Sequence, residues 1–215
     1  MVETPNTPIL PPLENGDRLN RYEFERRYSQ TPLKKAELIE GVVYITTTVR
    51  FRSHAVPHAN LSGWLSHYKI ATPHLELGNN PTVRLDGDNT PQPDIVLLIA
   101  ENANGQARIS EDDYIEGAPE LVAEIAASSV SIDLHAKKQA YRRNGVKEYI
   151  VWQVYDQKID WFYLQEGEYI ALPPDDNNII RSRTFGGLWL APGDLLAGNM
   201  TQVLAVLQQG LNSRS

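Results

Sequence analysis

The stretch Leu121-Val122-Ala123-Glu124-Ile125-Ala126-Ala127 is apolar throughout except for a single carboxylate. A run this short and this apolar, bounded by Pro119 and by Ser128-Ser129, reads as a strand buried on both faces. A carboxylate in its middle is costly to bury unless a metal, a cation or a proton compensates it. The plainer alternative is an acid at a strand end that reaches water. Other parts of the chain decide between the two.

At 215 residues the chain has room for one well-cored domain. Its 41% hydrophobic and 22% charged residues exclude disorder throughout. No apolar run approaches the roughly 18 residues that cross a bilayer. Met1 to Pro12 carries four prolines and no hydrophobic core, unlike a signal peptide. No membrane association and a cytoplasmic location are therefore expected. The absence of cysteine rules out disulfides and thiolate metal sites. A net charge of −7 argues against broad, non-specific phosphate binding, but it leaves room for a local basic groove beside an acidic site.

Residues 1–17 are rich in Pro, Asn and Thr and read as a flexible N-terminal arm, with a single domain over 18–212. A helix is expected over Arg18–Tyr28. Around Gly41 the β-branched residues of Lys35–Thr48 fit either two strands joined at the glycine or one bulged strand. Val56–Ile70 is helical by the spacing of Leu61, Trp64, Leu65 and Tyr68. His54 and His58 stand four apart as a metal pair would, but with no third ligand a solvated helix start is the better reading. Short strands follow near Glu76-Leu77 and over Thr82–Leu85. Pro93–Ile99 is a second apolar strand, with Asp94 at its entrance. Residues 101–118 read as an exposed loop. Beyond the Glu124 strand, a helix over Ile132–Asn144 is capped by Ser131 or Asp133 and stopped by Gly145. Strands then follow at Glu148–Tyr155, Asp160–Leu164, Tyr169–Leu172 and Ile179–Arg181, before a C-terminal helix from Asp194.

The inward stripe of the Ile132–Asn144 helix is Leu134, Lys137, Lys138 and Tyr141, and two lysines on such a stripe need an explanation. One can snorkel to water. The other is well placed to meet the buried acid, because the helix directly follows the Glu124 strand. Asp94 completes a set of Asp, Glu and Lys. Two carboxylates suit Mg²⁺, which activates water and stabilises charge growing on a phosphate, as phosphodiester hydrolysis requires.

Pro93-Asp94, Pro119-Glu120-Leu121-Val122-Ala123-Glu124-Ile125, the Asp133, Lys137, Tyr141 spacing and Gly145-Val146-Lys147-Glu148-Tyr149-Ile150-Val151 occur in this order. Together with Glu37-Leu38-Ile39-Glu40-Gly41 and Pro57 with Leu61, they resemble the Uma-two (DUF820) family. That family is a restriction-endonuclease-like branch of the PD-(D/E)XK nucleases. The resemblance spans roughly residues 18–200. It implies an α/β fold with a mixed sheet flanked by helices, and Asp94 and Glu124 as metal ligands. It further implies Glu37 as an assisting acid, with Glu40 as the alternative. The superfamily lysine normally sits two residues after the strand glutamate, where this chain has Ala126. Lys137 matches the place to which the branch has moved it, and Lys138 is the alternative. Two positions depart from the family: Ala127-Ser128-Ser129 replaces Ser-Pro-Ser, and Gln153 stands where an aspartate is usual.

The expected activity is a Mg²⁺-dependent endonuclease, with Mn²⁺ as a substitute cation, nucleic acid and first of all DNA as substrate, and a homodimer as the assembly. Two rivals are a decayed nuclease fold kept as a nucleic-acid or protein binding module, and a purely structural Glu124–Lys137 ion pair.

Overall fold

In the computed structural model, which describes residues 10–46 and 48–214, the run around Glu124 is a strand buried along its whole length. The chain begins with helix α1 (Arg21–Tyr28) and the hairpin β1 (Ala36–Ile39) and β2 (Val42–Ile45). Next come α2 (Val56–Ile70), β3 (Leu75–Asn79), β4 (Val83–Arg84), β5 (Ile95–Ile99), β6 (Arg108–Ile109), β7 (Ile115–Glu116) and β8 (Leu121–Ala126). Two short helices, α3 (Val130–Ile132) and α4 (Lys138–Asn144), enclose a π-helical turn, Asp133–Lys137, so that 130–144 is one composite helix. The chain then forms β9 (Glu148–Gln153), β10 (Lys158–Gln165), β11 (Glu168–Ala171), β12 (Ile180–Arg181) and β13 (Trp189–Leu190). It ends in α5 (Pro192–Leu196) and α6 (Met200–Asn212).

The main sheet has the order β11-β10-β9-β8-β5-β3, and only β8 and β9 are parallel. A parallel pair needs a crossover between its strands, and the composite helix supplies it. The architecture is the mixed sheet flanked by helices that the sequence led us to expect. Side chains alternate between faces along each strand. Leu121, Ala123 and Ile125 pack with Leu61, Trp64, Leu65 and Tyr68 of α2 and with Val203 and Leu207 of α6. Val122 and Ala126 pack on the other face with Tyr141, Tyr149 and Phe162. By the same alternation Glu124 lies under the composite helix. No helix among the described residues is long and apolar enough to cross a membrane.

Several expectations change in detail. Residues 1–9 of the expected arm lie outside the described residues, but Leu13 is buried with Phe24 and Leu38, and the Gly16 N–H donates to the Val43 carbonyl at 2.8 Å. The packed body therefore reaches back past Arg18. One buried leucine among prolines leaves no periodic signal. Around Gly41 the chain forms two strands, because Glu40 and Gly41 both take positive φ, the geometry of a tight hairpin. The 101–118 stretch carries β6 and β7, with Ala107 and Ile115 buried, in strands too short to show a period. The C-terminal helix is two, broken at Gly198, with Asn199 capping the second.

α6 meets β13 through a glycine. A Cβ on Gly210 would stand 2.3 Å from the Gly187 carbonyl oxygen and 2.7 Å from Trp189 Cγ. Helix propensity alone would make Gly210→Ala stabilising by about 1 kcal/mol. The overpacking costs about 1–3 kcal/mol and acts on backbone that cannot turn aside. Urea denaturation of Gly210→Ala should therefore show a net loss of stability, and a gain would refute this packing.

Candidate active site

Strand pairing sets the first two acids side by side. β5 and β8 pair antiparallel with Ile95 opposite Ala123 and Val96 opposite Val122. One residue further, Asp94 faces Glu124 on the same side of the sheet. The Asp94 N–H points at Glu124 Oε2 at 3.4 Å, and Asp94 Oδ2 accepts from the Ile125 N–H at 2.8 Å. Both carboxylates are only 2% exposed. They border a cavity of about 290 Å³, together with Glu37, Lys35, His54, Ser129, Asp133 and Lys137.

The composite helix brings the cation. Lys137 Nζ lies 3.0 Å from Glu124 Oε1, 2.8 Å from Glu37 Oε1 and 3.6 Å from Asp133 Oδ1. A lysine this buried occurs only where it is paired. Lys138 instead turns outward, its Nζ 3.5 Å from the centre of the Phe162 ring. Of the two stripe lysines, the structure thus brings Lys137 to the acids. The helix starts at Val130 with no side-chain cap, and neither Ser131 nor Asp133 serves as one. Asp133 is instead buried in the site, 2.5 Å from Ser129 Oγ, with its other oxygen lacking a hydrogen-bond partner. Tyr141 donates its hydroxyl to Glu124 Oε1 at 2.9 Å.

β1 adds Glu37. The Gln92 N–H donates to Glu37 Oε1 at 2.7 Å, and Leu38 exchanges backbone hydrogen bonds with Thr90, which fixes β1 beside the Asp94 strand. Glu40 does not reach the cavity. It pairs bidentately with Arg143, at 2.6 and 2.8 Å, near the surface.

Asp94 has partners of its own. Lys35 Nζ stands 3.2 Å from Oδ1 and His54 Nε2 3.3 Å from Oδ2, while His58 Nε2 is 3.0 Å from the Asp94 backbone oxygen. The two histidines are thus neither a metal pair nor a solvated helix start. A second π-helical turn, Phe51–Ala55, directs His54 inward. Lys35, His54, Asp133 and Tyr141 were not read as site residues from the sequence. For Asp133 and Tyr141 a signal existed, since both fall on the Lys137 face at steps of four. Lys35 and His54 approach only through tertiary folding.

The two facing acids are held in opposite protonation states. Burial pushes the Glu124 carboxyl up to about 8; Lys137 opposes this, and Asp133, Asp94 and Glu37 reinforce it. Burial also acts on Asp94, but the hydrogen bond from His54, the Lys35 charge and the Ile125 N–H outweigh it and hold Asp94 well below the usual carboxylate range. Asp133 is raised by burial. Lys137 stays charged because its carboxylate neighbours outweigh its burial.

Four buried carboxyl groups thus share the cavity with one buried lysine, while the half-buried Lys35 and His54 and the exposed Arg50 stand at its edge. A proton or a divalent cation would restore the balance. Among the described residues no three His, Asp or Glu side chains form a ready-made metal cage. Two hard carboxylates with water in the remaining positions nevertheless fit Mg²⁺, which sheds its water reluctantly. The departures noted above leave this set intact. Ser128 and Ser129 line the cavity, whereas Gln153 lies outside it and donates to Asp160 at 2.5 Å.

The sequence profile of the family described as “Uma2: Putative restriction endonuclease” matches residues 21–193. The chain belongs to the Uma2 family. Among solved structures, this Uma2 protein is similar to “a putative nuclease belonging to DUF820” from Anabaena variabilis ATCC 29413. The TM-score is 0.62 at 16% identity, over 80% of this chain and 96% of that one. No curated protein matches the Uma2 chain.

The raised Glu124 pKa has a measurable consequence. The folded protein keeps this proton up to about pH 8, whereas the unfolded chain releases it near the ordinary value of 4.5. Between those values the native state binds more protons, so Glu124 makes stability fall as pH rises. Chemical denaturation across this window should show a flatter pH profile for Glu124→Gln than for wild type. Parallel profiles would mean that Glu124 is ionised throughout.

Proposed function

We propose that this Uma2 protein is a metal-dependent nuclease that hydrolyses phosphodiester bonds of nucleic acid, with DNA as the first candidate, at the cavity between Asp94, Glu124 and Lys137. One observation carries the reading: a buried excess of carboxylates surrounds a buried lysine in a cavity that opens to solvent. Asp94 and Glu124 would hold Mg²⁺ or Mn²⁺. When bound, the cation lowers the pKa of a water ligand and stabilises charge on the phosphate. Lys137 carries its charge beside Glu124, where it orients the attacking water and neutralises a phosphate oxygen. Glu37 and Asp133 position Lys137, and Tyr141 fixes the Glu124 carboxyl. Lys35 and His54 keep Asp94 ionised and ready to ligate.

A second reading is a non-cleaving binding module. It is favoured by the way Asp94 is already satisfied by Lys35, His54 and the Ile125 N–H, and by the net charge of −7. A bare Glu124–Lys137 ion pair accounts for less, since Lys137 also meets Glu37 and Asp133.

Nicking of supercoiled plasmid in Mg²⁺ separates these readings. Lys137→Ala should lose activity by about a hundredfold or more, the size of effect seen when one preorganised charge-stabilising group is removed. Lys138→Ala should retain activity, and a chelator should abolish it. Equal loss in both variants, or an inactive wild type, would contradict the proposed site.

A further inference from the structure

The rim of the cavity differs in chemistry from its floor. Val49, Arg50, Ser53 and Tyr155 border it on the side where the chain enters α2. Val49, Phe51 and Tyr155 are 63%, 74% and 61% exposed. Single exposed apolar residues are ordinary, but Val49 and Tyr155 both border this one cavity, and Phe51 lies two residues after Val49 in the same segment. Arg50 and Arg52, on either side of Phe51, are exposed, and neither makes an ion pair among the described residues. The π-helical turn closes with the Ala55 N–H on the Arg50 carbonyl at 3.1 Å. It turns His54 in toward Asp94 while Phe51 and Arg52 stay in solvent. Turns of this kind concentrate at functional sites.

An exposed aromatic ring with an exposed arginine on either side in sequence suits one class of ligand. Bases stack on the ring and phosphates pair with the arginines, the arrangement by which single-stranded nucleic acid is held. A continuous duplex offers no free base face to Phe51. On a chain of net charge −7, a phosphate strand approaching this acidic floor needs local cations, and the rim has them.

We propose that Phe51, flanked by Arg50 and Arg52, is a base-stacking platform for single-stranded nucleic acid and leads an unpaired strand to the cavity. The proposal rests on the nuclease reading only for what then happens to that strand.

Fluorescence anisotropy with chelator present, so that nothing is cut, tests it on the full chain. The probes are a labelled single-stranded DNA, the RNA of the same sequence, and the DNA duplex. At least one single strand should bind about tenfold or more tighter than the duplex, and Phe51→Ala should weaken that binding about tenfold. Replacing Arg50 and Arg52 together by alanine should reduce the salt slope by about 1.4, at ~0.7 per phosphate contact. All three positions are exposed, so the melting temperature should not move and serves as the folding control. Duplex binding as tight as that of either strand, unchanged binding in Phe51→Ala, or no binding at all would overturn the proposal. Plasmid nicking by wild type with no effect of Phe51→Ala on binding would sink the platform and leave the nuclease reading standing. Phe51-dependent binding by a wild type that cuts nothing would do the reverse.

Discussion

A carboxyl group in the middle of a strand buried on both faces cannot stand alone, and much of this molecule is arranged to answer that constraint at Glu124. Transfer of an isolated ionised carboxylate into such surroundings is prohibitive, so the group must be paired, protonated or bound to a cation. The composite helix brings Lys137 and Tyr141 to it, and β1 brings Glu37 to Lys137. The hairpin and the long loop before β5 matter to the site chiefly because they hold Glu37 and Asp94 in place. Stability by itself does not explain the expense, because an apolar side chain in place of Glu124 would pack with less compensation.

The two facing acids also illustrate how neighbouring groups of one chemical type can be driven apart. Asp94 sits at the strand entrance with Lys35, His54 and a backbone N–H, and stays ionised. Glu124 lies one strand over, among other acids, and keeps its proton near neutrality. Such divergence is a mark of sites that exchange protons or cations. Both π-helical turns serve this arrangement. One carries Asp133 and Lys137 on the face above Glu124, and the other carries His54 to Asp94.

The centre of this fold was legible because its signals are local. The buried strand, the α2 stripe, Asp94 at a strand entrance and a lysine stranded on a helix stripe are all patterns within a few residues. The ordered motifs of the Uma-two resemblance linked them into a single fold. The resemblance put Glu37 ahead of Glu40, and the hairpin supplies the physical reason: the positive φ at Glu40 and Gly41 turns Glu40 toward Arg143 and leaves Glu37 facing in. Lys35 left no trace and His54 only its spacing from His58, because their distance from Asp94 is set by how the segments leading into β1 and α2 dock. The packing of Leu13 and the two-residue strands β6 and β7 escaped for a simpler reason: elements that short have no period to detect.

The central claim is that Asp94 and Glu124 form one cation site. The most direct measurement is a crystal structure of the protein soaked in Mn²⁺, read by anomalous scattering and paired with the same soak of Glu124→Gln. The account predicts one anomalous peak within ligand distance of both carboxylates in wild type and its loss in the variant. A peak that persists in Glu124→Gln, or manganese bound only elsewhere on the protein while this cavity keeps its lysine–carboxylate contacts, would contradict it.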